Sequence, residues 1–168
     1  MSSARPYGPR FPDTSAIGGS VDRTDTPHVI LACGKAKHAG RHAAIELYRG
    51  GLFVLGARWA RSVTTLDRIW VLSARYGLVR AVETIDSYEL RLGSPGSVTA
   101  DQLARQVAHV GAELAELVVF FQGGADYLEL VRAALPSVVW LRDRMDTPGK
   151  GIGYQLQWLK AHQGVVPG

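Results

Sequence analysis

The sequence predicts an α/β fold: a three-layer sandwich in which a short, mostly parallel four-stranded sheet is flanked by helices. Two observations carry this prediction. The runs "HVILAC", "RIWVLSA", "ELVVFFQGG" and "SVVWLRD" are short, continuously apolar and rich in β-branched and aromatic residues, as strands buried on both faces are. Segments with helical spacing alternate with them, which is the pattern of a parallel sheet covered on both sides.

Each element follows from local chemistry. "HVILAC" is broken by Gly34, which ends the first strand. "HAAIELYRGGLFVLGARWARSV" is helical in two parts, interrupted at Gly50-Gly51. After the second strand, "RYGLVRAVETIDSYELRLGSPGS" is long and without a period, and such loops inside compact domains are usually functional. "SVTADQLARQVAHVGAEL" is a helix: Thr99 and Gln102 fit a capping box, and Leu103, Val107, Val110 and Leu114 share a face. "ADYLELVRAAL" is a helix that stops before Pro136. "RMDTPGKG" is a loop, and "IGYQLQWLKAH" is the last helix.

The chain has 168 residues, enough for one domain with a real core. Residues 27–164 are expected to form it. Residues 1–26, rich in Pro, Gly, Ser and Thr, read as an irregular tail; a basic arm through Arg5 and Arg10 is the alternative, offset by Asp13, Asp22 and Asp25. No apolar run is long enough to span a bilayer, and the N-terminus lacks a signal-peptide core. One cysteine allows no internal disulfide and no Cys-rich zinc site, so a cytoplasmic setting is expected. The five histidines show no paired ligand spacing, so no metal is expected; no cofactor is expected either. A net charge of +4 tilts the partner list toward nucleotides or nucleic acid. The oligomeric state stays open, a dimer included.

In parallel sheets, ligands bind beyond the carboxyl ends of strands. That rule gathers four segments. In "CGKAKHAG", Gly34 permits close approach, and Lys35 and Lys37 either hold a phosphate or form a solvated basic turn; no P-loop spacing is present. Cys33 is either a reactive thiol or a small buried hydrophobe. In "LSARYGLV", Ser73 and Tyr76 either contact a planar ligand or form a tight turn with Gly77 at positive φ. In "FQGGADYLEL", Gly123 and Gly124 open a helix whose amides attract anions, and Asp126 caps the helix or touches the ligand. "GKGIG" is either a phosphate-facing loop or a plain β-α turn. Within the long loop, Asp86 and Glu89 are the carboxylates best suited to general-base work or to stabilising an oxocarbenium, or else belong to a solvated acidic loop.

Taken together, "CGKAKHAGRHAAIELYRGGLF", "VLSARYGLV…IDSYELRLG", "GGADYLELV" and "GKGIGYQLQWL" resemble a phage and actinobacterial family of small domains of unknown function, over about Val29 to Lys160. That family looks distantly similar to the YaaA peroxide-stress proteins, to a domain of archaeosine synthase and to the uracil-DNA glycosylase-like fold. The resemblance implies a nucleobase or nucleotide pocket. By position it implies Cys33, Lys35, Tyr48, Ser73, Tyr76 and Gly77 in the first half of the chain. It implies Tyr88, Gly123, Gly124, Tyr127, Gly151 and Gly153 in the second. Where the family usually shows Tyr-Asp, this chain has Tyr88-Glu89.

The expected function is hydrolysis of a nucleobase N-glycosidic bond on a nucleotide or on a modified base in nucleic acid. Asp86 or Glu89 would meet the charge on the sugar, Tyr76 or Tyr88 would stack on the base, and Lys35 with the Gly123-Gly124 amides would hold phosphate or the departing base. The alternatives are a non-catalytic nucleotide or nucleic-acid binding module, and thiol chemistry at Cys33.

Overall fold

A computed structural model describes residues 26–115, 118–149 and 151–168. Apart from Thr26, the expected tail lies outside these described residues, as does Lys150 of the "GKGIG" segment. In chain order the elements are β1 (His28–Ala32), β2 (Arg41–Ala43), α1 (Ala44–Leu47), α2 (Gly51–Val63), β3 (Ile69–Ser73), β4 (Gly77–Arg80) and β5 (Thr84–Asp86), followed by α3 (Ala100–His109), α4 (Gly111–Ala115), β6 (Val119–Gln122), α5 (Ala125–Ala134), β7 (Val139–Trp140) and α6 (Ile152–Ala161).

The sheet has the order β4-β3-β1-β6-β7. β1 runs parallel to β3 and to β6, and β6 parallel to β7. The three-layer α/β sandwich is therefore present, with five strands in the sheet where the apolar runs suggest four. The added strand, β4, is antiparallel to β3. It comes from the long stretch expected to be irregular, and so does β5, which pairs with β2 in a separate two-stranded ribbon. The turn that creates β4 is local: the Ser73 hydroxyl accepts the N–H groups of Arg75 and Tyr76 at 3.1 and 3.0 Å, and Gly77 takes φ +72°. A side chain at Gly77 would also run into Gln106, whose carboxamide accepts the Leu78 N–H and donates to the Tyr76 carbonyl. The expected fourth strand, "SVVWLRD", shortens to Val139–Trp140 before a 3₁₀ turn over Leu141–Arg144.

Side-chain alternation along the strands builds the two cores. Val29 and Leu31 of β1, Ile69 and Val71 of β3 and Phe120 of β6 face one layer, where α2 and α6 pack together. Trp59 of α2 is fully buried there, edge-on to Phe120 and beside Trp158 of α6. Ile30, Trp70, Leu72, Val119 and Phe121 face the other layer, closed by Leu103 and Val107 of α3 and by Leu128 and Val131 of α5. Both helices that cover this second layer start cleanly. The Thr99–Gln102 capping box is closed in both directions, and α5 begins immediately after the Gly123-Gly124 pair.

Candidate ligand cleft

From β1 the chain passes through α1 and α2 to β3 on one side, and later through α3 and α4 to β6 on the other. The order of strands therefore reverses between β1 and β6. Loops that leave two such strands diverge and open a crevice at their carboxyl ends. Here the crevice is a cleft of about 750 Å3. Its floor is the buried trio Leu31, Phe53 and Gln122. Its walls include Cys33, Gly34, Gly123 and Tyr127. At its rim are Gly51, Gly124, Ala125, Asp126 and Ile152, all exposed.

The rim has a consistent electrostatic character. α2, α5 and α6 all begin at it, with Gly50, Gly124 and Gly151 as extended N-cap residues, and none of the three is capped by a side chain. First-turn amides without intrahelical partners carry the positive end of each helix dipole. Asp126, in the first turn of α5, is the carboxylate among the lining residues. Gly123 is required for close packing: a Cβ there would meet Ala32 and the Phe121 ring.

On one wall, the Cys33 thiol lies 3.1 Å from the Tyr127 hydroxyl. Burial, and then the contact with that thiol, push the Tyr127 phenol above its ordinary pKa and keep it protonated. The floor carries a less expected group. Gln122 is 3% exposed, and neither its Nε2 nor its Oε1 has a hydrogen-bond partner among the described residues. It lies two positions after Phe120 on the α2 face, and its Cγ occupies the space that a Cβ on Gly56 would approach to 3.2 Å.

A second cluster is buried nearby. Ser73 donates to the Tyr88 hydroxyl at 2.8 Å, which in turn lies 2.8 Å from the Tyr48 hydroxyl. Burial is the first cause that raises both phenols above their ordinary values. The Lys37 ammonium stands 4.4 Å from the centre of the Tyr88 ring and hydrogen-bonds the Lys35 carbonyl. Backbone bonds from His38 to Leu47 and from Arg49 to Ala36 pin this basic loop to the chain around Tyr48.

The candidate residues thus divide. Cys33, Gly34, Gly123, Gly124 and Tyr127 line the cleft. Tyr48, Ser73 and Tyr88 form the hydroxyl cluster, and Lys37 covers it. Lys35 is exposed and is not among the lining residues. Tyr76 lines a different groove, about 540 Å3 between β4 and α3, together with Arg75, Arg105 and His109. Gly77 serves the β3–β4 turn. Asp86 is exposed on the β2–β5 ribbon, paired with Arg41 at 3.2 Å, and Glu89 is exposed beyond it; neither lines the cleft. Gly151 caps α6 at the rim, and Gly153 is exposed in its first turn. Gln122 lies in the "FQGGADYLEL" edge segment but is not among the candidate residues named from sequence. The available signal was a carboxamide closing an otherwise apolar strand, in phase with Phe120.

A family model described as "Family of unknown function (DUF6884)" matches residues 29–161. The chain belongs to DUF6884. The span matched in this DUF6884 chain runs from β1 to α6 and includes both loops of the switch point. No curated protein matches the chain, and no solved structure does. Among the described residues of this DUF6884 chain, no group of His, Cys, Asp and Glu could hold a metal ion. No described helix is long and apolar enough to cross a membrane.

Proposed function

We propose that the cleft between β1 and β6 receives a nucleotide and that the chain hydrolyses its N-glycosidic bond. The observation that carries the reading is the convergence of three uncapped helix N-termini on one switch-point cleft. Such termini favour phosphate, through free amides and through the helix dipole. The volume, about 750 Å3, suits a ligand of nucleotide size. The net charge of +4, and the distant similarity of the family that the motifs resemble to the YaaA proteins, to a domain of archaeosine synthase and to the uracil-DNA glycosylase-like fold, point the same way. The lone cysteine fits a reducing, cytoplasmic setting.

In the reaction, the glycosidic electron pair leaves with the base and the sugar takes on oxocarbenium character. Water adds to the sugar and gives up a proton, and the base departs protonated. Asp126, the carboxylate among the lining residues, would meet that charge or take that proton. A second reading, a nucleotide-binding module without catalysis, is favoured by the position of Asp86 and Glu89 outside the cleft.

One experiment separates the two readings. The full chain is incubated with a panel of nucleotides and base-modified DNAs, and released base is followed by mass spectrometry. Hydrolysis predicts release from at least one member, reduced about a hundredfold or more in Asp126→Asn with affinity retained. Binding without release from any member supports the module instead.

A further inference from the structure

We infer that Gln122 reads the base: the nucleotide enters the cleft base first, its donor–acceptor edge meets the Gln122 carboxamide, and its phosphate stays at the rim. This deepens the nucleotide reading above and rests on it.

Gln122 is buried among the residues that line the cleft, and both its carboxamide atoms are shut off from solvent and unpartnered among the described residues, so a base edge reaches them by displacing what covers them. A polar group removed from water without a hydrogen bond is destabilising, so such groups point to a missing partner. α2 carries glycine at position 56, where a Cβ would press on the Gln122 Cγ at 3.2 Å and on Leu31 at 3.4 Å. The helix thus accommodates the longer side chain on the floor.

The chemistry of the missing partner follows from the amide itself. It presents a donor and an acceptor side by side, and it can rotate to exchange them. A phosphate would face the Nε2 donor well but set its oxygens against Oε1. A hydrocarbon would leave both atoms unmatched. A nucleobase edge, with an adjacent donor and acceptor, satisfies both at once. The direction of entry follows from the gradient of burial. The floor around Gln122 is apolar, through Leu31 and Phe53, and suits the faces of a ring. The exposed rim has the helix N-termini, which suit the phosphate.

The test measures binding of nucleoside monophosphates to the full chain by calorimetry, with ribose 5-phosphate as the base-free arm. Wild type, Gln122→Leu and Gln122→Glu are compared, and the best nucleotide is also tried methylated in turn at each edge nitrogen. The expected result is about a tenfold or greater loss of affinity in Gln122→Leu and on methylation of one edge, with ribose 5-phosphate affected by neither variant. The unliganded Gln122→Leu chain should melt no lower than wild type, since it removes an unsatisfied amide. If that variant fails to fold, the methylated nucleotides on wild type decide. Nucleotides that bind wild type equally whatever their edge or residue 122, as they would if a trapped water alone satisfied the amide, overturn this inference and leave the nucleotide reading standing. No binding of any nucleotide to wild type overturns both.

Discussion

Ser73 illustrates how one hydroxyl can fix several neighbours at once. Its oxygen accepts the N–H groups of Arg75 and Tyr76, so its single proton goes to Tyr88, and Tyr88 meets Tyr48. The side chain is fully buried, out of reach of bulk solvent. Ser73→Ala would orphan two turn amides and weaken the tyrosine pair. The expected loss is about 1–3 kcal/mol in urea unfolding. Because Ser73 and Tyr88 share one network, Ser73→Ala and Tyr88→Phe should be non-additive by about 0.5 kcal/mol or more in a double-mutant cycle. Strict additivity would show that the hydroxyl chain does not act as a unit. The cluster closes the core beneath the basic loop, where Lys37 lies over the Tyr88 ring. A stacking role for Tyr88 would need that ring face exposed, and the ring is buried and covered.

At the scale of elements, what was legible in the sequence was what is encoded locally. The Thr99–Gln102 box is a bond between residues three apart, and it forms as the residues alone suggest. The break at Gly50-Gly51 is likewise local, since Gly50 caps α2. β4 and β5 were not legible because their evidence is distant. Each is only three or four residues long, β5 takes its partner from β2 some forty residues earlier, and β4 is held by a side chain from α3. The candidate site divides for the same reason: residues at the ends of β1 and β6 share a cleft, whereas those on the hairpin and ribbon do not. Gly77 is the residue on which the hairpin turns. Gly77→Ala places a Cβ at φ +72° and against Gln106. The expected destabilisation is at least about 1–2 kcal/mol from the left-handed backbone alone. Shortening Gln106 to Ala in the same chain should not restore it, because the backbone strain remains and Leu78 loses its acceptor. A double variant as stable as wild type would refute this account of the turn.

The whole molecule separates its candidate cleft from a stabilising end. The cleft lies past the carboxyl ends of β1 and β6, while His28 opens β1 at the opposite end of the central strand. His28 is 1% exposed, and its Nδ1 accepts the indole N–H of Trp70 at 3.1 Å, so the ring is neutral in the folded state. Arg80 stacks on the same indole and pairs with Glu113, whose carboxyl its hydrogen bonds hold below the ordinary range. Burial first, then Arg68 and, last, Arg80 push His28 below its ordinary value of 6.5, while Glu113 and Asp67 pull the other way. The sign of the linkage follows. Folding favours the neutral ring, so this contribution is complete above the unfolded value near 6.5 and is lost as pH falls through the lower folded value. Melting temperatures taken from about pH 7.5 down to about pH 5 should therefore fall more steeply for wild type than for His28→Gln, which can still accept from Trp70 but does not titrate. Nucleotide affinity at neutral pH should be the same in both proteins, because β1 separates the two ends. Parallel melting curves would remove His28 as the acid-sensitive group, and a loss of affinity in His28→Gln would mean that the two ends are coupled through the sheet.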